Sequence, residues 1–144
     1  MKDAAMKNGM DIYAKLENIG KKAKQASQLL GKAGAQQKAD ALHALARLLR
    51  EKQADILEAN ARDVEQGKAR SLDGPRLARL TLTPEIIEEM AEACVFVAEY
   101  PDPLGATETQ WQRPNGLLVG KMRVPLGVVA MIFESRPNVV IDSA

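Results

Sequence analysis

Three features of the sequence predict an α/β fold. Through roughly the first hundred residues, apolar side chains recur at steps of three or four, the period of an amphipathic helix. Asn115-Gly116 then separates two extended runs, a strong hairpin signal. Finally, Leu126 to Phe133 contains no polar side chain, and the polar cluster Glu134-Ser135-Arg136-Pro137-Asn138 follows at once. An apolar run this short suits a strand buried on both faces of a helix-covered sheet. A buried helical segment has the same periodicity, and the polar cluster favours the strand. Strand, polar turn and helix start is the arrangement in which open α/β sheets bind ligands.

In chain order, the first helix spans Asp11 to Leu30, with Ile12, Leu16, Ile19, Ala23, Ala26 and Leu30 at helical spacing. Gly31 and Gly34 break it. A second runs from about Ala35 to Lys52 with Ala39, Leu42, Ala46 and Leu49 on one face. A third starts near Asp55, carries Ile56, Ala59 or Asn60, and Val64, and ends around Gly67. Ser71-Leu72-Asp73-Gly74-Pro75 is rich in turn formers and reads as a loop. Thr83-Pro84-Glu85 opens the next helix with a capping hydroxyl, a proline in the first turn and a carboxylate at the positive dipole end. That helix is expected to bury Ile86 or Ile87, Met90, Cys94 and Val97, and Pro101 and Pro103 end it. The hairpin arms are Thr107 to Arg113 and Leu117 to Val124. The first arm is nearly all polar apart from Trp111, so the ribbon has little to bury alone. It either lies on the helical layer or reaches for another subunit. After Phe133, Pro137 suits the first turn of a helix, and Ser135 or Asn138 is placed to cap it.

Composition narrows the class. Twenty basic and 19 acidic residues leave a net charge of +1, which gives no electrostatic case for nucleic acid or an anionic membrane. Aromatic residues are 3% of the chain, too few to stack single-stranded bases. Cys94 is the only cysteine and His43 the only histidine, so no multi-cysteine or histidine metal site is expected. Met1 to Met10 lacks the apolar core of a signal peptide, and no apolar run approaches a membrane span. A cytoplasmic protein is the default expectation.

The segment Val124-Pro125-Leu126-Gly127-Val128-Val129, with Glu134-Ser135-Arg136-Pro137-Asn138 after it, resembles the aldehyde dehydrogenase superfamily. The superfamily shares a Pro-x-Gly-Val-Val strand and an Asn at the start of the next helix. The Glu-Ser-Arg-Pro-Asn form is that of its acyl-phosphate reductase branch. The resemblance extends less specifically to Asn60-Ala61-Arg62-Asp63-Val64, to the Pro101-Asp102-Pro103 break and to the hairpin. It implies an aldehyde-dehydrogenase-like α/β fold: N-terminal helices over 1–106, a β-hairpin oligomerisation arm over 107–124, and the first strand and helix start of the cofactor-binding sheet over 125–144. It implies reduction of L-glutamyl 5-phosphate with NADPH, in proline biosynthesis, by a homo-oligomer. In that scheme the Asn138 amide stabilises the oxyanion, whereas a helix cap is its plainer role. Glu134, Ser135 and Arg136 would line the cofactor groove. Arg136 could instead meet the substrate phosphate, or form a surface salt bridge. The nucleophilic cysteine of the superfamily lies in a later domain, and this chain alone is expected to be inactive.

Other readings are kept beside this one. Cys94 lies in register with Met90 and Val97 on an apolar stripe, which suits a core thiol better than a nucleophile. His43 has no second histidine nearby, and Lys15, Lys21, Lys22 and Lys24 resemble a solvated face. Another superfamily member with a different acyl or aldehyde substrate fits the same motifs. So does a non-enzymatic helical module that docks through the hairpin. Only Glu134 to Ala144 follow the apolar run, enough to start a crossover helix and too few to finish one. An exposed apolar edge and self-association are expected.

Overall fold

The computed structural model describes the backbone of residues 2–144 and the side chains of residues 11–144. Its elements are α1 (Lys2–Leu30), α2 (Ala35–Glu51), α3 (Gln53–Ala69), α4 (Gly74–Leu80), α5 (Pro84–Ala98), β1 (Thr107–Gln112), β2 (Leu118–Met122) and α6 (Val139–Asp142). They form two compact units. One holds the chain up to Ala33 with Asp102–Ala130, and the other holds Gly34–Pro101 with Met131–Ala144.

The second unit contains the core. Arg50 near the end of α2 pairs with Glu88, and Gln53 donates to the Pro84 carbonyl, so α2 and α5 run antiparallel. Ala46 and Leu49 of α2 meet Ile87, Met90, Ala91 and Cys94 of α5, and all six are buried. The small residues Ala46 and Ala91, each 1% exposed or less, permit close approach of the two helices. Val97, expected inside, is 54% exposed. The buried stripe runs through Ile87, Ala91 and Cys94 to the half-buried Ala98, which takes the inward position one residue on. Ile141 of α6 packs against the same core.

Of the residues expected to form a loop, Ser71 to Asp73 do so, whereas Gly74 and Pro75 open α4. Asp73 caps it by accepting from the Arg76 N–H at 2.9 Å, and Pro75 sits in its first turn. Behind it, Gly67 of α3 is buried. A Cβ there would lie 3.1 Å from Leu77 and 3.3 Å from Leu80, so a larger residue would have to push these leucine side chains aside by a few tenths of an ångström.

The first unit carries α1 and the hairpin. The spacing of Ile12, Leu16 and Ile19 is helical as expected, yet these side chains remain 55–62% exposed. In the hairpin, β1 and β2 pair antiparallel with Gln112 opposite Leu118 and a bulge between Thr107 and Thr109. Arg113 accepts from the Gly116 N–H at 2.9 Å, and Gly116 takes φ +86, the left-handed position of such loops. A Glu108–Arg123 pair ties the arms. All of β1 is exposed.

The strand expected over Leu126 to Phe133 does not form. Residues 124–133 have no regular structure, and Leu126 and Ile132 are 93% and 100% exposed. A strand exists by pairing, and no other strand among the described residues lies beside this one. The helix start expected after Pro137 does form, as α6.

Candidate active site

Within the second unit, the polar cluster after Phe133 makes a strained turn. Ser135 is half-buried at φ +52, a left-handed conformation that non-glycine residues rarely adopt. Beyond it the chain winds into α6, beginning with the Val139 N–H to the Arg136 carbonyl at 3.1 Å. Neither expected cap is made by a side chain. Asn138 is already in helical conformation, and its Nδ2 donates to Oδ2 of Asp142, one turn on, at 3.0 Å. One amide hydrogen is thereby held, leaving the second for another acceptor.

Arg136 and Asn138 line one open cleft of about 290 Å³, whose other wall is the turn between α4 and α5. Leu82 and Ile86 supply its apolar surface, and Arg79 and Glu89 its further charges. Glu134 is exposed, and neither it nor Ser135 is among the lining residues. Of the four residues singled out from sequence, the cleft therefore gathers two.

Asn60 holds the opposite wall in place. It is the one buried polar residue of the described chain, 6% exposed, and it spans the α4–α5 turn. Its Nδ2 donates to the Leu80 carbonyl and its Oδ1 accepts from the Leu82 N–H, each at 2.8 Å. Helix packing alone does not account for this residue; it fixes the backbone on which Arg79 and Leu82 sit. A lone Asn on a helix face gave no sign of this role, because its partners lie 20 and 22 residues away.

Cys94 lies in the core, not on the cleft. Burial pushes its thiol up from the ordinary range, and the charge of Asp142 adds to the shift. A nucleophilic cysteine requires the reverse. His43 is exposed, and among the described residues no group of three metal-binding side chains occurs. No described helix is long and apolar enough to cross a membrane.

The helices and the antiparallel hairpin, in this order, match part of a known mixed helix-and-strand fold. Solved gamma-glutamyl phosphate reductases share it. That of Thermotoga maritima superposes with a TM-score of 0.80 at 37% identity, over 85% of this chain and 30% of its own. That of Saccharomyces cerevisiae gives 0.83 at 31%, over 88% and 32%. The gamma-glutamyl phosphate reductase of Oleidesulfovibrio alaskensis is 58% identical over 93% of this chain, and that of Nitratidesulfovibrio vulgaris 57% identical over 94%. The chain is thus a relative of the gamma-glutamyl phosphate reductases and corresponds to their N-terminal portion. It spans about 32% of the length of these curated relatives. No family model matches it.

Proposed function

We propose that the protein carrying this chain reduces L-glutamyl 5-phosphate to L-glutamate 5-semialdehyde and phosphate, as a cytoplasmic enzyme of proline biosynthesis. The observation that carries this reading is the shared cleft of Arg136 and Asn138, built from the same Glu-Ser-Arg-Pro-Asn segment that marks the acyl-phosphate reductases. Asn138 offers its free amide hydrogen to the acyl oxygen as that oxygen gains charge. A neutral donor already tethered by Asp142 needs little reorganisation to do so. Arg136 meets the phosphate, whose geometry a guanidinium matches. Cys94 takes no part. The nucleophile comes from outside this chain, so the 144 residues alone are inactive.

NADPH supplies the hydride when bound. The described residues do not by themselves build its site, because the run at whose carboxyl end a dinucleotide would lie is not in a sheet. Glu134, Ser135 and Arg136 are proposed to border it. The division into helices over 1–106, an arm over 107–124 and the start of a cofactor sheet over 125–144 belongs to the same proposal. So does the hairpin as a subunit contact: β1 is exposed throughout, and a two-stranded ribbon is marginal without a partner.

In the full-length enzyme, Asn138→Ala should lower turnover by about 10²–10³ with little change in cofactor affinity. Unchanged turnover, with only about 1 kcal/mol of lost stability, would reduce Asn138 to a structural residue. A full-length protein without glutamyl phosphate reductase activity would overturn the reading altogether.

A further inference from the structure

We propose that Arg79 and Glu89 recognise the charged tail of an amino-acid acyl phosphate, Arg79 binding its α-carboxylate and Glu89 its α-ammonium. The proposal rests on the functional reading above and adds residues that reading does not use. Both side chains are exposed and line the cleft that holds Arg136 and Asn138. The charges match the ligand in kind. Two guanidiniums face the two anionic ends of the substrate, and one carboxylate faces its single cation. Among the described residues, Arg79, Glu89 and Arg136 form no ion pair, whereas Arg50, Arg62 and Arg123 are each paired with a glutamate. Leu82 and Ile86 provide apolar surface for the two methylenes between the reacting carbonyl and the α-carbon.

Arg79 also has an ordinary role open to it. It lies in the last turn of α4, where a cation complements the helix dipole. That role affects stability and nothing else, which makes the two separable. Asn60 ties the backbone on either side of Thr81, so Arg79 is presented from a fixed turn.

The test uses the full-length enzyme in the oxidative direction, with NADP and inorganic phosphate. The substrates are glutamate 5-semialdehyde, 5-oxopentanoate, which lacks the amino group, and butyraldehyde, which lacks amino group and carboxylate. Arg79→Met should reduce the preference for 5-oxopentanoate over butyraldehyde by about 10- to 100-fold, the worth of a charged hydrogen bond. Arg79→Lys should restore part of it. Glu89→Gln should reduce the preference for glutamate semialdehyde over 5-oxopentanoate by about tenfold or more. Unchanged preferences with a lowered melting temperature would overturn the proposal and leave Arg79 a helix-end cation. Titration with unreactive L-glutamate and with butyrate gives a readout without chemistry. A parent enzyme that binds the two equally overturns the proposal, even where it reduces glutamyl phosphate. If the parent binds L-glutamate through Arg79 yet turns over no glutamyl phosphate, the functional reading fails and the recognition site stands.

Discussion

Replacing Asn60 by alanine tests how the cleft is held together. The change deletes two hydrogen bonds of 2.8 Å and leaves the Leu80 carbonyl and the Leu82 N–H without their partner. Each orphaned buried group costs about 1–3 kcal/mol. Both bonds are only part-buried, so water recovers some of this, and a loss of about 2–4 kcal/mol is expected. Urea unfolding followed by helical circular dichroism measures it. Hydrogen exchange at the Leu82 amide should accelerate by more than exchange at Ile87, which is in the core. Asn60→Asp refines the test. It keeps the acceptor for Leu82 but sets a carboxylate against the Leu80 carbonyl, so its stability should recover as acid protonates the new side chain. A cost below about 0.5 kcal/mol for Asn60→Ala, typical of an uninvolved surface site, would refute the clamp.

Three further outcomes follow from the same geometry. Cys94→Ser should cost roughly 1–3 kcal/mol through a poorly paired buried hydroxyl, and folded full-length enzyme should keep its turnover; complete loss of activity in a folded variant would contradict a core role. The Arg50 guanidinium holds the Glu88 carboxyl below the ordinary glutamate range, so the pair contributes stability above that range and loses it as pH falls through the lowered value. Glu88→Gln should therefore flatten the acid side of the stability profile, and an unaltered profile would show the pair to be inert. The isolated chain should bind dyes specific for apolar surface and self-associate, given Leu126, Val129 and Ile132 at 69–100% exposure; a monodisperse monomer that binds no dye would contradict this.

What could be read in advance was whatever depends on local pattern. Ala39, Leu42, Ala46 and Leu49 mark the inner face of α2 because the period of 3.6 needs no partner to be visible. The hairpin was legible from Asn115-Gly116, since the turn chemistry is contained in those residues. α4 was missed because Asp73-Gly74-Pro75 serves equally as a turn and as a capped helix start, and the burial of Gly67 beneath Leu77 and Leu80 decides between them. A strand over Leu126 to Phe133 depends on more than its own residues. Apolar β-branched residues express a preference for a sheet, while the pairing that realises it lies elsewhere. The cleft was half visible: Arg136 and Asn138 stood out as part of a motif, but Arg79 and Glu89 come from a segment about fifty residues earlier and carry no local signature.

Ile141 gives the chain a timetable. The core it packs against is otherwise drawn from residues between Leu45 and Val95. A ribosome adding about 5–20 residues per second needs several more seconds after Cys94 to reach it. During that interval α2 and α5 can already meet, with one flank of their contact still open to water. The hairpin and the exposed apolar run emerge within the same interval. A synonymous change that slows translation between Pro101 and Ile141 would lengthen the time that this flank stays uncovered, without altering a single side chain.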